Sequence, residues 1–333
     1  MANRITMADV AREAGVSLMT VSRVINNKGD VSAETRQQIL EIIERMGYRP
    51  SGVARSLATQ RTGTLGLVVP DVGNPFFSGV ARGAEDQAYA EGYNVLLCNT
   101  NEDPKREMAA LQSLEEKRVD GLVLCSSRLT ETLLLPLLAR HPAAVLVNRR
   151  LEGDGIGAVL INDEAGCRMA TEHVLRAGHR AVGFLAGPAA SYSGQQRALG
   201  YRAALAAAGL PYNATWVRNC TAFVEGGRVA TRELLVAHPE LTALVCYNDL
   251  VAVGTLQACA DLGRRVPEDL AVTGFDDIPL MDQITPALTT CHVPRHDLGA
   301  QAMRLLLDCI NGYLNECKDI VLPVELVVRA SAP

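Results

Sequence analysis

Residues 5–50 read ITMADVAREAGVSLMTVSRVINNKGDVSAETRQQILEIIERMGYRP, and the pattern predicts three short helices. The first starts at Thr6, with Asp9 three residues on, the spacing of a capping box. It runs through Val10 and Ala11 to Ala14 and stops at Gly15. The second starts at Ser17, whose hydroxyl can accept from the backbone N–H groups of the next turn, and runs to Ile25 before Asn26-Asn27. The third runs from Ser32 to Met46, where Gly47 can take the left-handed cap conformation and Tyr48-Arg49-Pro50 breaks the helix. Its apolar residues Ile39, Ile43 and Met46 form an i, i+4, i+7 stripe.

On a helical wheel at about 100° per residue, Val21, Val24 and Ile25 form the inner face of the second helix. Met19 and Arg23 fall roughly opposite, with Leu18 and Ser22 on the flanks. Two short helices joined across AGVS make a helix-turn-helix, and the second helix of such a unit fits the DNA major groove. Arg23 can offer two parallel donors to guanine O6 and N7. Leu18 and Met19 can make only apolar contacts, with thymine methyls or base edges. Ser17, Thr20 and Asn26 are short donors suited to phosphates. A plain three-helix packing unit would show the same amphipathic pattern. The outward apolar Met19 on a small basic head favours a contact surface.

The charge distribution separates this head from the rest. The net charge of −5 argues against nucleic acid if read globally. Residues 1–61, however, hold nine Lys/Arg against six Asp/Glu, and the remainder holds 23 against 31. A basic head on an acidic body calls for two separate readings. At roughly 100–200 residues per domain, the 333 residues make two or three domains. With 48% hydrophobic and 21% charged residues, the chain is neither collagenous, nor coiled coil, nor largely disordered. No apolar stretch reaches the ~18 residues of a membrane span. The start, MANRITMADVAREAG, carries Asp9 and Glu13 and no apolar signal core, so the expected location is the cytoplasm, with no membrane partner. Nine cysteines without CxxC spacing read as reduced, mostly buried thiols.

From Thr64 onward, short apolar runs alternate with amphipathic stretches. Strands are expected at 65–69, 95–98, 121–124, 144–147, 159–161, 181–186, 243–246, 270–273 and 324–328, with helices including 78–91, 105–116, 164–177 and 197–208. The alternation implies doubly wound parallel sheets, and the length implies two such lobes. In open α/β sheets, ligands sit beyond the carboxyl ends of the strands. Polar residues stand there repeatedly: Asp71 and Asn74, Ser126 and Ser127, Asn148 and Arg149, Asn248 and Asp249, Asp276 and Asp277. Each alone is better explained as a helix cap; five strand ends together favour one cleft. Carboxylates and amides suit vicinal hydroxyls, and Phe76 and Phe77 offer faces for sugar C–H groups, with packing at a helix start as the other reading.

The elements DVAREAGVS, TVSRVIN, VS..TR and MGYRP resemble the N-terminal domain of the LacI/GalR family of bacterial repressors, and the likeness continues along the whole chain. LCNTNEDPKRE and KRVDGLVL are most similar to the ribose-type members. The resemblance implies an all-α helix-turn-helix head (1–50), a hinge helix and linker (51–63), and an α/β periplasmic-binding-protein-like body (64–333). The body would have two doubly wound parallel-sheet lobes, 64–161 with 292–320 and 162–291 with 321–333. It implies that Leu18, Met19 and Arg23 read bases and that Ser17, Thr20, Asn26, Ser32 and Thr35 contact phosphates, with Ser22 beside them. SGVARSLA resembles the hinge helix that enters the minor groove, where Ala54 permits close approach and Leu57 would wedge a base step.

For the effector, the resemblance points to Phe76, Phe77, Asn148, Arg149, Arg197, Asn248 and Asp276, with Phe223 the nearest match to an aromatic that is out of register. Asp71, Asn74 and Ser126 complete the expected set. Val293 stands where several sugar-binding relatives carry Gln, and Ser191 stands where a purine site would want Arg. The implied partners are a double-stranded palindromic operator, a small-molecule effector (a monosaccharide or sugar phosphate) and a second copy of the chain. After Arg329 only ASAP remains, without the heptads of a tetramerising helix.

An enzyme is not expected. GDGIGAV precedes a strand, so it fails as a dinucleotide fingerprint, and no Walker loop or GxSxG elbow occurs. No catalytic residue, cofactor or metal is assigned; His292 and His296 are separated by Pro294, which argues against a helical metal pair. The alternative is a sugar-binding protein without a DNA role, which specific, salt-sensitive binding to a palindromic duplex would discriminate.

Overall fold

A computed structural model of the chain describes residues 5–25, 29–48, 61–151, 156–313 and 319–333. Two units are present, residues 1–62 and 63–333.

The first unit contains α1 (Met7–Ala14), α2 (Leu18–Ile25) and α3 (Ala33–Met46). Their ends follow local chemistry. Thr6 and Asp9 form a reciprocal capping box, with Thr6 N donating to Asp9 Oδ2 at 2.9 Å. Ser17 Oγ accepts from Thr20 N at 3.1 Å, and Ser32 Oγ accepts from Thr35 N at 3.2 Å. Gly15 and Gly47 both close their helices at φ 64°, left-handed backbone that a side chain disfavours. Val10, Ala11, Ala14, Val21, Val24, Ile39, Ile42 and Tyr48 form the core. The stripe of α3 therefore centres on Ile39 and Ile42, while Ile43 and Met46 are only half-buried. The reason is geometric: α3 packs on both α1 and α2, so its buried face lies between the two partners.

Among its described residues, the second unit holds two six-stranded sheets. The first is ordered β11-β5-β4-β3-β1-β2 and the second β12-β10-β9-β8-β6-β7. In the first, β1 is Thr64–Val69, β2 Asn94–Asn99, β3 Leu122–Cys125, β4 Ala144–Val147, β5 Gly157–Ile161 and β11 Ile320–Leu322. In the second, β6 is Val182–Gly187, β7 Val217–Asn219, β8 Ala243–Cys246, β9 Ala271–Asp276, β10 Thr289–His292 and β12 Glu325–Val327. All pairings are parallel except β10 with β12. Every residue of β3, β4, β5 and β8 is buried, as expected for parallel strands covered on both faces.

The covering helices are α4 (Pro75–Ala90), α5 (Pro104–Glu116), α6 (Glu131–Leu138), α7 (Asp163–Arg176), α8 (Tyr192–Ala207), α9 (Val224–Ala237), α10 (Asp249–Asp261) and α11 (Arg295–Ile310). Glycines let paired helices touch backbone to backbone. A Cβ on Gly83 of α4 would meet the His296 carbonyl oxygen at 1.9 Å, and one on Gly299 of α11 would meet the Val80 carbonyl oxygen at 1.9 Å.

The chain passes between the lobes three times: at Asn162, between His292 and Arg295, and between Leu322 and Glu325. The last crossing lies beyond 320 because β11 completes its pairing with β5 at Leu322. A continuous apolar core joins the lobes, reaching from Leu65, Val147 and Leu306 in the first to Leu244 and Phe275 in the second.

Three strands escape sequence patterning. β7 is mostly exposed, β10 is the Thr-rich TTCH, and β11 is a three-residue edge. Among the described residues, seven cysteines are free, but Cys309 is disulfide-bonded, against the all-reduced expectation. It sits half-buried in the last turn of α11, outside the core that seals Cys125, Cys167 and Cys246.

Candidate DNA interface and effector cleft

The outward face of α2 is unusual for its apolar content. Met19 is 65% and Leu18 52% exposed, while Val21 and Val24 behind them are buried. Arg23 is exposed one turn further on. The hydroxyls of Ser17 and Thr20 lie 2.9 Å apart at the start of α2, and those of Ser32 and Thr35 lie 2.8 Å apart at the start of α3. Ser22 is half-buried. Helix N-termini with short hydroxyl side chains suit phosphate oxygens, and the tip between them pairs apolar contact with a guanidinium fork. Asn26, Ala54 and Leu57 lie outside the described residues.

In the body, strand ends from both lobes line a narrow cavity of ≈ 340 Å³, open to solvent on one side. The first lobe contributes Asn74, Phe76, Phe77, Glu102, Ser126, Arg128 and Asn148; the second contributes Ser193, Arg197, Ala222, Tyr247, Asn248 and Asp276. Backbone strain concentrates here. Glu102 (φ 59°), Ser126 (φ 48°), Asn148 (φ 54°) and Asp276 (φ 111°) are all non-glycine residues in left-handed backbone, which persists only where the surroundings impose it.

Arg197 is the electrostatic centre. Its Nε donates to Asp163 Oδ1 at 2.7 Å, another nitrogen donates to the Tyr247 carbonyl, and the guanidinium lies over the Phe275 ring at 3.7 Å. Burial opposes its charge, but Asp163 and Asp276 outweigh that and hold it firmly cationic. Burial pushes the Asp276 carboxyl up to about 7, with Arg197 pulling the other way. Burial also raises Asp249, helped by repulsion from Asp276. Asp249 is a brace: it accepts from Thr290 Oγ1 at 2.5 Å and from Ile278 N at 2.8 Å, fixing the strained turn after β9.

Asn148 is fully buried, yet its Oδ1 has no hydrogen-bond partner. Asn74 and Asn248 instead spend their Oδ1 atoms as helix caps, on Phe76 N at 3.0 Å and Val251 N at 2.9 Å. Phe76 and Phe77 meet edge to face at 5.0 Å and serve both the core and the cavity wall. The arrangement offers a carboxylate, an unengaged amide oxygen and aromatic edges to a small polyhydroxylated molecule.

Residues 6–51 match the family model "Bacterial regulatory proteins, lacI family". Residues 62–330 match "Periplasmic binding proteins and sugar binding domain of LacI family". The chain belongs to the LacI family. This LacI-family protein is 38% identical over 328 residues to the ribose operon repressor of Halalkalibacterium halodurans, covering 97% of this chain and 96% of the relative. It superposes on a lac repressor dimer bound to operator and the anti-inducer ONPF with a TM-score of 0.88, at 27% identity over 99% of both chains. A LacI-family regulator from Enterococcus faecium with bound ribose matches at TM-score 0.71 and 29% identity, covering 81% of this chain and 98% of that one. The protein is thus a DNA-binding transcriptional regulator with a helix-turn-helix head, not an enzyme.

Of the residues expected in the cleft of this LacI-family protein, three lie elsewhere. Asp71 turns its Oδ1 onto Gly73 N at 2.9 Å, closing its own loop. Arg149 donates to the Leu129 carbonyl at 3.2 Å and does not reach the cavity wall. Phe223 precedes α9 and lines a separate, adjoining cavity. Sequence reasoning missed Glu102, Arg128, Ser193 and Tyr247. The run of non-glycine turn residues at Asn101-Glu102 was the available signal for Glu102; Ser193 lies one turn before Arg197 on α8.

Among the described residues, no group of three His, Cys, Asp or Glu is placed to hold a metal, and no helix is long and apolar enough to cross a membrane.

Proposed function

We propose that this protein is a dimeric repressor that reads a palindromic operator through Leu18, Met19 and Arg23 and releases or tightens its grip when a monosaccharide fills the interlobe cavity. The observation that carries the effector half is the buried, unpartnered Oδ1 of Asn148 in a cavity walled by both lobes, which the Asp276 carboxylate also lines. Buried polar atoms are normally satisfied, and a ligand hydroxyl satisfies this one. The two cationic side chains in the wall, Arg128 and Arg197, are each already paired with carboxylates. That favours an uncharged sugar over its phosphate. The ribose operon repressor and the ribose-bound regulator among the relatives point to a pentose.

The head reading rests on apolar Met19 and Leu18 standing outward around Arg23. Two heads on one dimer double the phosphate contacts and match a twofold half-site arrangement. For the dimer face, β2 is an edge strand that leaves Leu96 and Leu97 exposed, and Tyr89 is exposed on the preceding helix. An uncovered apolar edge of this kind favours pairing with a second copy. The reading places the protein with the chromosome, in the bacterial cytoplasm.

Lobe closure on the sugar couples to the heads only through differential affinity of the sugar for two states. A coupling of about 1–3 kcal/mol changes operator affinity about 5–150-fold. The test is selection of duplexes from a random pool, followed by titration of the winning site with D-ribose, other monosaccharides and their phosphates. A common symmetric site whose affinity shifts with a free sugar supports the reading; a shift with phosphates, nucleobases or amino acids only refutes the effector assignment.

A further inference from the structure

Two cavities lie side by side in the body and share Glu102, Arg128 and Ala222 as a common wall. The inner one is the interlobe cavity described above. The outer one holds ≈ 970 Å³ of more open space, floored by Pro104, Pro188, Ala189 and Phe223. Between them stands one ion pair. Arg128 Nε donates to Glu102 Oε2 at 2.5 Å and Nη2 donates to Oε1 at 3.1 Å, a two-pronged contact whose side chains are only 6% and 16% exposed. Arg128 also reaches Tyr247 of the opposite lobe, whose hydroxyl lies 2.9 Å from Ser191 Oγ.

The pair is fixed from behind as well. Buried Glu107 accepts from the Arg128 backbone N at 2.9 Å and from the Ser127 hydroxyl. Asn101 (φ 55°) and Glu102 (φ 59°) form two consecutive left-handed residues without glycine, a geometry that survives only when surrounding contacts dictate it. Swinging either side chain aside strands the other charge in a poorly solvated site.

We propose that the Glu102–Arg128 pair is a partition that limits the effector to a single sugar ring, and that the outer cavity takes the second ring or an aromatic substituent of a longer ligand once the pair is removed. This rests on the reading of the inner cavity as the effector site. The apolar floor and the Phe223 ring suit the C–H face of a second ring, and the inner chamber stays intact because Asn148, Arg197 and Asp276 lie apart from the shared wall.

The experiment is calorimetry on the full-length protein with D-ribose, D-xylose, D-glucose and D-galactose, each also as its set of mono-O-benzyl derivatives, one per hydroxyl. Wild type is expected to bind a free monosaccharide and to reject all its benzyl derivatives by at least tenfold. Glu102→Ala with Arg128→Ala is expected to recover at least tenfold for one or more derivatives. If that variant fails to fold, Glu102→Gln with Arg128→Met, of similar volume but without the ionic lock, is expected to admit them too. Wild-type binding of every derivative as tightly as the free sugar overturns the partition and leaves the effector reading standing. So does a folded variant that binds the free sugar and gains nothing for any derivative. Binding of no monosaccharide by wild type removes the effector reading and the partition with it.

Discussion

The Asp276 carboxylate lies 3.7 Å from the Arg197 guanidinium, too far for a hydrogen bond, while Asp163 holds the same guanidinium at 2.7 Å. The arginine is thus committed to Asp163, and Asp276 remains a buried carboxyl pushed up to about 7 by burial. A sugar hydroxyl donates best to the ionised form. Effector affinity should therefore rise about tenfold from pH 6 to pH 8, as the ionised fraction grows. Asp276→Asn should bind more weakly and lose that slope. Calorimetry at the two pH values checks it, and a flat wild-type profile would show that Asp276 does not accept from the ligand.

The same carboxyl carries a stability prediction. Its pKa in the folded protein is raised above the unfolded value of 3.8, so between about pH 4 and pH 7 the folded state holds the extra proton. Stability then falls as pH rises through that window. The melting temperature of Asp276→Asn should gain on wild type between pH 5 and pH 8, measured by thermal unfolding of both proteins in matched buffers.

Asn148 combines an unpartnered buried oxygen with left-handed backbone at φ 54°. Asn148→Gly relieves both, since glycine accepts that backbone without strain. It should melt no lower than wild type yet lose about 1–3 kcal/mol of effector binding, the worth of a satisfied buried polar group. A stable variant with undiminished affinity would remove Asn148 from the site.

Arg23→Ala should flatten base preference at one position of each half-site, a change of about 1–3 kcal/mol in discrimination. Affinity for unrelated duplex should change far less. Binding to a single-substitution operator library reads this directly, and an unchanged preference profile would show that Arg23 touches only the backbone.

Leu97 is 49% exposed on the edge strand β2. Leu97→Asp, with Leu96→Asp, places unpaired charge on that edge and should shift sedimentation from dimer to monomer at micromolar concentration. Retention of the dimer would move the interface elsewhere.

The head was legible almost residue by residue because its signals are local. Thr6 with Asp9, Ser17, Ser32, Gly15 and Gly47 each act within one turn, and each sits where that chemistry requires. Most core strands were legible too, since a parallel strand buried on both faces is a plain apolar run, as in AVLV of β4. α8 was expected from 197 but begins at Tyr192 after the Ser191 cap. Its first two turns are polar on the side where Ser193 and Arg197 line the cleft, which hides the apolar period. Asn148 and Asp276 are legible because strand ends in such sheets point into the cleft, and both line the interlobe cavity. Glu102 with Arg128 was not: a pair 26 residues apart, meeting across two loops, leaves no periodic trace. Asp71 and Arg149 follow strand ends as well, but Asp71 closes its own loop on Gly73 and Arg149 donates to the Leu129 carbonyl of the neighbouring loop.

Because the polypeptide changes lobes three times, neither half is complete until the last residues emerge from the ribosome. The opening half lacks α11 and its edge strand β11 until synthesis passes Leu322. A nascent repressor therefore carries a finished, self-contained head long before it owns a sensor. A chain cut between the head and that point would keep α1, α2 and α3 but lack a completed first lobe.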